Sequence, residues 1–241
     1  NKKFPIIKNY DWVIHLGANS STTETNVEKI FNQNYYFSKK IFKECVKHNI
    51  NLQYASSASV YDIKKGFKEN SKCYPKSPYS WTKYLFDQYV KQSKYKITVQ
   101  GFRYFNVFGH NENNKKDQAS PVYKFIKQAK QNKKIKLFYG SDKFLRDFVC
   151  IDDVCQAHLQ MLKRKINGIF NIGRGKAISF KKIADTVSKK FSCKIEYIKM
   201  PKKIEGHYQK FTKANTKKLN KYVSIKWKDP LKYINKLNII D

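Results

Sequence analysis

Trp12-Val13-Ile14-His15-Leu16-Gly17-Ala18 is a short apolar run, broken by one histidine, that passes directly into a glycine. This is the profile of a buried parallel strand opening into a loop. On its carboxyl side, residues 26–48 carry helical spacing through Val27, Ile30, Phe31, Phe37, Ile41, Phe42 and Val46, and Leu52 to Ala55 reads as a second strand. That strand stops at Ser56-Ser57-Ala58-Ser59, which sets small hydroxyl residues at the carboxyl end of a strand, the usual place for a ligand site in open α/β sheets. Pro78 opens another helix with Leu85, Phe86, Tyr89 and Val90 on its apolar face, and Ile97 to Phe102 is a third strand. The order strand, helix, strand, helix, strand predicts an α/β fold with a parallel sheet and right-handed crossovers. His15 reads as a packed core residue rather than a ligand.

Beyond Gly109 the character changes. Residues 110–118 are polar and lysine-rich, which reads as a loop, and a helix resumes at about Pro121. Lys136-Leu137-Phe138 is a short strand. Asp152 and Asp153 are expected to cap a helix carrying Val154, Ala157, His158, Met161 and Leu162. Ile169 to Ile172 is a strand, Ser179 caps a helix, and Asp229-Pro230 starts the last one. The expected division is 1–109, bearing most of the sheet, and 110–241, a smaller α/β lobe with segments returning to the first part. Gly173-Arg174-Gly175 follows a strand but lacks a third glycine and a downstream acid at dinucleotide-binding spacing, so it reads as a plain turn.

A chain of 241 residues with 41% hydrophobic and 15% aromatic residues is long and apolar enough to bury a sizeable core, and disorder is not expected. No apolar run approaches the about 18 residues of a membrane span, and no secretory leader pattern opens the sequence. Five cysteines, Cys45, Cys73, Cys150, Cys155 and Cys193, are odd in number and without C-x-x-C spacing, so neither a disulfide frame nor a metal site is expected and the chain reads as cytoplasmic. A formal net charge of +32 raises polyanion binding as an alternative. The excess is diffuse and mostly lysine, whereas bidentate recognition of phosphate and bases favours arginine. Solvated lysines are the expectation; nucleic acid and membrane are not expected partners.

Tyr79-Ser80-Trp81-Thr82-Lys83 places a phenol and an ammonium four residues apart, on one helix face, where the lysine is expected to favour the ionised phenol. With Ser57 upstream, this set resembles that of an extended short-chain dehydrogenase/reductase of the nucleotide-sugar epimerase and dehydratase group. Gly17-Ala18-Asn19-Ser20-Ser21-Thr22-Thr23-Glu24, Tyr54-Ala55-Ser56-Ser57, Gly101-Phe102-Arg103-Tyr104-Phe105-Asn106-Val107, Arg146-Asp147-Phe148-Val149 and Tyr208-Gln209-Lys210-Phe211-Thr212 narrow the likeness. They resemble the ADP-glyceromanno-heptose 6-epimerases of lipopolysaccharide core synthesis.

The resemblance implies a Rossmann-like sheet and a tightly held NADP, with NAD not excluded, that oxidises C6 of an ADP-linked heptose and returns hydride to the opposite face. It implies Tyr79 as principal acid/base, Lys83 as its partner and a ribose contact, and Ser57 as a hydrogen-bond donor to the reacting oxygen. Lys115 is implied as the second acid/base, with Lys116 next to it as the other candidate. Cofactor contacts are implied at Leu16, Gly17, Ala18, Asn19, Ser20, Gln33, Lys83 and Val107. Substrate contacts are implied at Asn106, Phe138, Tyr139, Gly140, Ser141, Arg146 and Tyr208, with Arg146 as the diphosphate clamp. Asp117 and Lys124 stand where the family has a substrate-site serine and histidine. A homo-oligomer is expected. The likeness begins roughly 60 residues into a family member, so the incomplete sheet is expected to lack the first strand, the glycine-rich pyrophosphate loop and the residue that separates NAD from NADP. The activity is therefore expected of a longer parent. Competing readings are another nucleotide-sugar epimerase or dehydratase, against which Ala58 and Ser59 stand where a dehydratase carries an acidic pair, and a non-catalytic basic fragment.

Overall fold

The computed structural model describes residues 4–21, 24–62, 64, 66–202 and 209–238. In chain order the strands are β1 (Trp12–His15), β2 (Asn51–Ser57), β3 (Val99–Tyr104), β4 (Asn106–Phe108), β5 (Lys134–Phe138), β6 (Leu145–Cys150), β7 (Gly168–Ile172), β8 (Ala177–Ser179) and β9 (Lys194–Ile198). The helices are α1 (Val27–Phe31), α2 (Phe37–Lys47), α3 (Pro78–Gln92), α4 (Pro121–Asn132), α5 (Ile151–Leu162), α6 (Phe180–Phe191) and α7 (Pro230–Lys236). They form two compact units, one of Asn1–Tyr104 with Leu162–Asn171, the other of Phe105–Met161 with Ile172–Asp241.

In the first unit four strands run in the order β1-β2-β3-β7. β1 pairs parallel with β2 from Trp12 opposite Asn51 to His15 opposite Tyr54, and β2 pairs parallel with β3 from Leu52 opposite Val99 to Ser57 opposite Tyr104. Ile41, Phe42 and Cys45 of α2 and Phe86 and Val90 of α3 pack with Leu52, Tyr54 and Val99 in one core. Each such fully buried aliphatic or aromatic side chain contributes about 1.5–3 kcal/mol.

Two expectations are corrected here. β1 is not buried on both faces: it stands at the edge of the described sheet, so Ile14 is 43% exposed while His15 beside it is 8% exposed. The helix expected over residues 26–48 is interrupted by a π-helical turn at Asn32–Tyr36. The wider turn brings Asn34 into the interior, where it bonds both backbone groups of Asn19, accepting from N at 2.7 Å and donating to O at 2.9 Å.

In the second unit β6 pairs parallel with β4 and antiparallel with β8, and β5 pairs parallel with β9. Val122 and Phe125 of α4 and Ile183, Val187 and Phe191 of α6 share a core with Phe108, Ile135, Leu137 and Phe148. Strands β6, β8 and β9 lie where the sequence carries mixed charged and apolar residues, and the apolar pattern does not announce them. Asp152 and Asp153 sit in the first turn of α5, which begins at Ile151, rather than capping it. Their charge still suits a helix N-terminus. Ser179 and Asp229 do cap α6 and α7, accepting from Lys182 N and from Leu231 N and Lys232 N.

Candidate active site

Ser77 starts α3 in a capping box with Ser80, and Pro78 occupies the first turn, so the position of Tyr79 is set by local chemistry before any tertiary contact forms. One turn further, Lys83 is 5% exposed and donates to the backbone oxygen of Ala55 at 2.9 Å, which ties α3 to the carboxyl-terminal part of β2. Its ammonium lies 5.9 Å from the Tyr79 ring centroid. Ser57, two residues past Ala55, hydrogen-bonds the Tyr79 phenol and accepts from Ser59 N at 3.2 Å and from the Ser59 hydroxyl at 3.0 Å. The three residues read from the sequence are therefore brought together at one strand end.

The electrostatics differ from the sequence expectation. Burial is the largest influence on Tyr79 and raises its phenol above the ordinary value; the Ser57 hydrogen bond pulls the other way. Lys83 is itself buried, which lowers it to about 8 despite the opposing pull of Asp87. The pair is thus a protonated phenol beside an ammonium that is still mostly charged at neutral pH, rather than a phenol already lowered by its lysine. His15 is held by the Ser38 hydroxyl at 2.8 Å and pushed down to about 4 by burial and then by the Lys83 charge, so it is a neutral packed residue. No group of metal-ligating side chains occurs among the described residues.

Beyond β1, an open hollow of about 730 Å³ is lined by Gly17, Ala18, Asn19, Lys29, Asn32, Gln33 and Phe37. Asn19 Nδ2 donates to Gln33 Oε1 at 3.0 Å across it. Leu16 and Ser20 flank the loop and are exposed. A Cβ built on Gly17 meets nothing within 4 Å, so a ligand has access to the backbone there. Four of the expected cofactor residues line this hollow, and Lys83 lies in the same unit; amides, an open glycine and a cation are a donor set that fits a dinucleotide.

The remaining expected residues lie in the second unit. Asn106 and Val107 form the start of β4, half-buried. Phe138 ends β5, Tyr139 is 63% exposed, Gly140 turns the chain at φ 75°, and Ser141 is buried with its hydroxyl unpartnered. Arg146 lies on β6 with its guanidinium 5.6 Å from the Phe180 ring centroid. Lys115 is exposed and lies 3.8 Å from the carboxylate of Glu112, while Lys116 adopts φ 46° at a kink of its 3-10 turn. Lys124 Nζ donates to the backbone oxygen of Asp117 at 2.8 Å, so the two residues that depart from the family pattern contact each other. Tyr208 falls outside the described residues.

Several residues of consequence were not anticipated. Asn34 links the Asn19 loop to Thr82 of α3 at 3.2 Å. Buried Glu112 accepts from Gly109 N, from Ser120 N and from the Ser120 hydroxyl, at 3.0, 2.6 and 2.8 Å. Asp87 and Asp147 are fully buried carboxylates. Of these only Asp87 carried a sequence signal, its place four residues beyond Lys83.

A parallel sheet with a serine, a tyrosine and a lysine converging at a strand end defines a nucleotide-dependent α/β enzyme of the short-chain dehydrogenase/reductase type. Residues 2–173 match the model of the NAD dependent epimerase/dehydratase family, and the chain belongs to that family. It is 42% identical over 215 residues to the ADP-L-glycero-D-manno-heptose-6-epimerase of Brachyspira hyodysenteriae, spanning 86% of this chain and 68% of that protein. The crystal structure of the Helicobacter pylori ADP-L-glycero-D-manno-heptose-6-epimerase superposes with a TM-score of 0.82 at 29% identity, covering 94% of this chain and 73% of the other. A UDP-N-acetylglucosamine 4-epimerase from Methanobrevibacter ruminantium, in complex with UDP-N-acetylmuramic acid, also gives 0.82, at 25% identity and with 94% and 74% covered. The protein is an epimerase of nucleotide sugars. No helix among the described residues is long and apolar enough to cross a membrane.

Proposed function

We propose that this protein epimerises C6 of ADP-D-glycero-D-manno-heptose to the L-glycero isomer with NADP as its dinucleotide, in the cytoplasm, for lipopolysaccharide core synthesis. The observation that carries the reading is the convergence of Ser57, Tyr79 and Lys83, with the serine on the phenol and the lysine on Ala55. The identity to a heptose epimerase over most of the chain supports the choice of substrate. When bound, the nicotinamide supplies reversible hydride transfer at C6. The protein's own residues handle the proton and the orientation.

Ser57 donates a hydrogen bond to the reacting oxygen and holds it beside the phenol. Tyr79, kept protonated by burial, returns a proton to that oxygen in the reducing direction and, as phenolate beside the Lys83 ammonium, removes one in the oxidising direction. Lys83 keeps a positive charge beside this exchange and contacts the ribose hydroxyls. Gly17, Ala18, Asn19 and Gln33, with Leu16, Ser20 and Val107, hold the dinucleotide. Asn106, Asp117, Lys124, Phe138, Tyr139, Gly140, Ser141, Arg146 and Tyr208 serve the nucleotide sugar, and Lys115 is the second acid/base. The protein acts as a homo-oligomer.

The purified protein in its natural full length, incubated with NADP and ADP-D-glycero-D-manno-heptose, is expected to form the L-glycero epimer, read by chromatography; absence of product removes the substrate assignment. Tyr79→Phe is expected to lower turnover about 100-fold or more, and near-normal turnover removes the acid/base assignment.

A further inference from the structure

Tyr79, Lys83 and Asp87 recur at intervals of four along α3 and therefore lie on one face of it. The chemistry above uses the first two. Asp87 is fully buried, and its carboxylate gathers donors from both neighbouring strands. Oδ1 accepts from the Tyr54 hydroxyl at 3.1 Å; Oδ2 accepts from the Ser56 hydroxyl at 3.0 Å and from Arg103 Nε and Nη2, both at 2.9 Å. Arg103, 2% exposed, lies 4.7 Å from the Tyr61 ring centroid and donates from Nη1 to the backbone oxygen of Glu69 at 3.2 Å. Ser56 directly precedes Ser57, and Lys83 reaches Ala55, so three consecutive residues of β2 are held through one face of α3.

We propose that Asp87 is a positioning residue: it locks α3 to the carboxyl ends of β2 and β3 and sets a negative charge one helical turn beyond Lys83, on the face that carries Tyr79. The functional meaning rests on the reading of Tyr79 and Lys83 as the proton-handling pair. A carboxylate buried only for stability has no need to lie one turn from the lysine and one residue from the serine. Burial pulls the Asp87 carboxyl upward, and four donors, two of them from the arginine fork, oppose that pull.

The groups facing Lys83 from each packed element are few. On α3 they are Tyr79 and Asp87. On β1 it is His15, neutral because burial pushes it to about 4. Tyr54 of β2, whose phenol is held protonated by burial and by Asp87, and Arg103 of β3 bond to Asp87. Burial takes Lys83 down to about 8, and Asp87 is the charge that opposes this. Without that charge Lys83 loses its proton at lower pH.

The test is nitrogen NMR of the lysine side chains in the full chain, with Lys83 assigned by Lys83→Met, titrated in the absence of substrate and dinucleotide. Asp87→Asn alone leaves a buried guanidinium unbalanced and endangers folding, so the informative variant is Asp87→Asn with Arg103→Gln. Against Arg103→Gln alone, which accounts for the loss of the guanidinium, the folded double variant is expected to lower the Lys83 midpoint by about one pH unit or more, and Asp87→Glu is expected to keep it near the parent value. An equal midpoint in Arg103→Gln and the folded double variant overturns the proposal. A shifted midpoint together with full activity of Tyr79→Phe supports the Asp87–Lys83 link while removing the catalytic reading, so the two failures are told apart.

Discussion

Gly17-Ala18-Asn19 and Gly173-Arg174-Gly175 each follow a strand of the same four-stranded sheet, β1 and β7. Beside Gly17 a built Cβ has open space to 4 Å. Beside Gly173 it meets Ala214 Cβ at 2.7 Å, Asp147 Oδ2 at 3.0 Å and Phe105 Cγ at 3.2 Å. The second loop is already filled: Asp147 accepts from Arg174 N at 2.8 Å, from Gly175 N at 2.8 Å and from Ala214 N at 3.0 Å. An internal carboxylate thus sits where a phosphate-binding loop presents its amides to a ligand. A glycine after a strand is evidence of a binding loop only when nothing inside the protein has claimed its donors.

The comparison breaks first at Asp147. Asp147→Ala removes an acceptor that three backbone donors share in a fully buried site, leaving those donors unsatisfied. Denaturant unfolding is expected to show a loss of about 3 kcal/mol or more. A loss under about 1 kcal/mol means that water replaces the carboxylate and that the loop is less committed than its hydrogen bonds imply. Next comes Gly173→Ala, whose methyl is forced against Ala214, Asp147 and Phe105. Overpacking of this kind is expected to cost about 1–3 kcal/mol, read in the same unfolding experiment.

These two loops also mark how far the sequence could be read. The turn at Gly173 was legible because a third glycine and an acid were missing, but the reason it is closed, Asp147, was not. Asp147 lies in β6, in a stretch whose Arg146 and Asp147 look like surface charges and are 6% and 0% exposed. Long-range partners such as Thr212 and Ala214, more than sixty residues away, bury it, and no local pattern announces them. In the first unit the strand and helix order, the Ser77-Pro78 start of α3 and the meeting of Ser57, Tyr79 and Lys83 followed from spacing and from resemblance. The direction of the Tyr79 shift did not, because burial, which outweighs the opposing Ser57 hydrogen bond, exists only once the phenol is packed. The π-helical turn at Asn32–Tyr36 was equally hidden, since its advantage is the tertiary bond pair from Asn34 to Asn19.

Gly17→Ala is the mirror of Gly173→Ala and carries the smallest effect on the fold. Its methyl enters open space, φ at Gly17 is not left-handed, and the residue is exposed, so unfolding free energy is expected to stay within about 0.5 kcal/mol of the parent. The consequence should appear instead in nucleotide binding. A methyl in a hollow lined by Gly17, Ala18, Asn19 and Gln33 would take room from a dinucleotide seated there, and a clash worth about 1.4 kcal/mol would weaken its affinity about tenfold. Fluorescence titration with NADP and with NAD measures it. If stability falls as far as in Gly173→Ala, the first loop is as closed as the second and the contrast is wrong. If stability and affinity are both unchanged, the contrast in packing stands but the hollow does not seat the nucleotide, and the cofactor contacts of this chain must be sought around Lys83 alone.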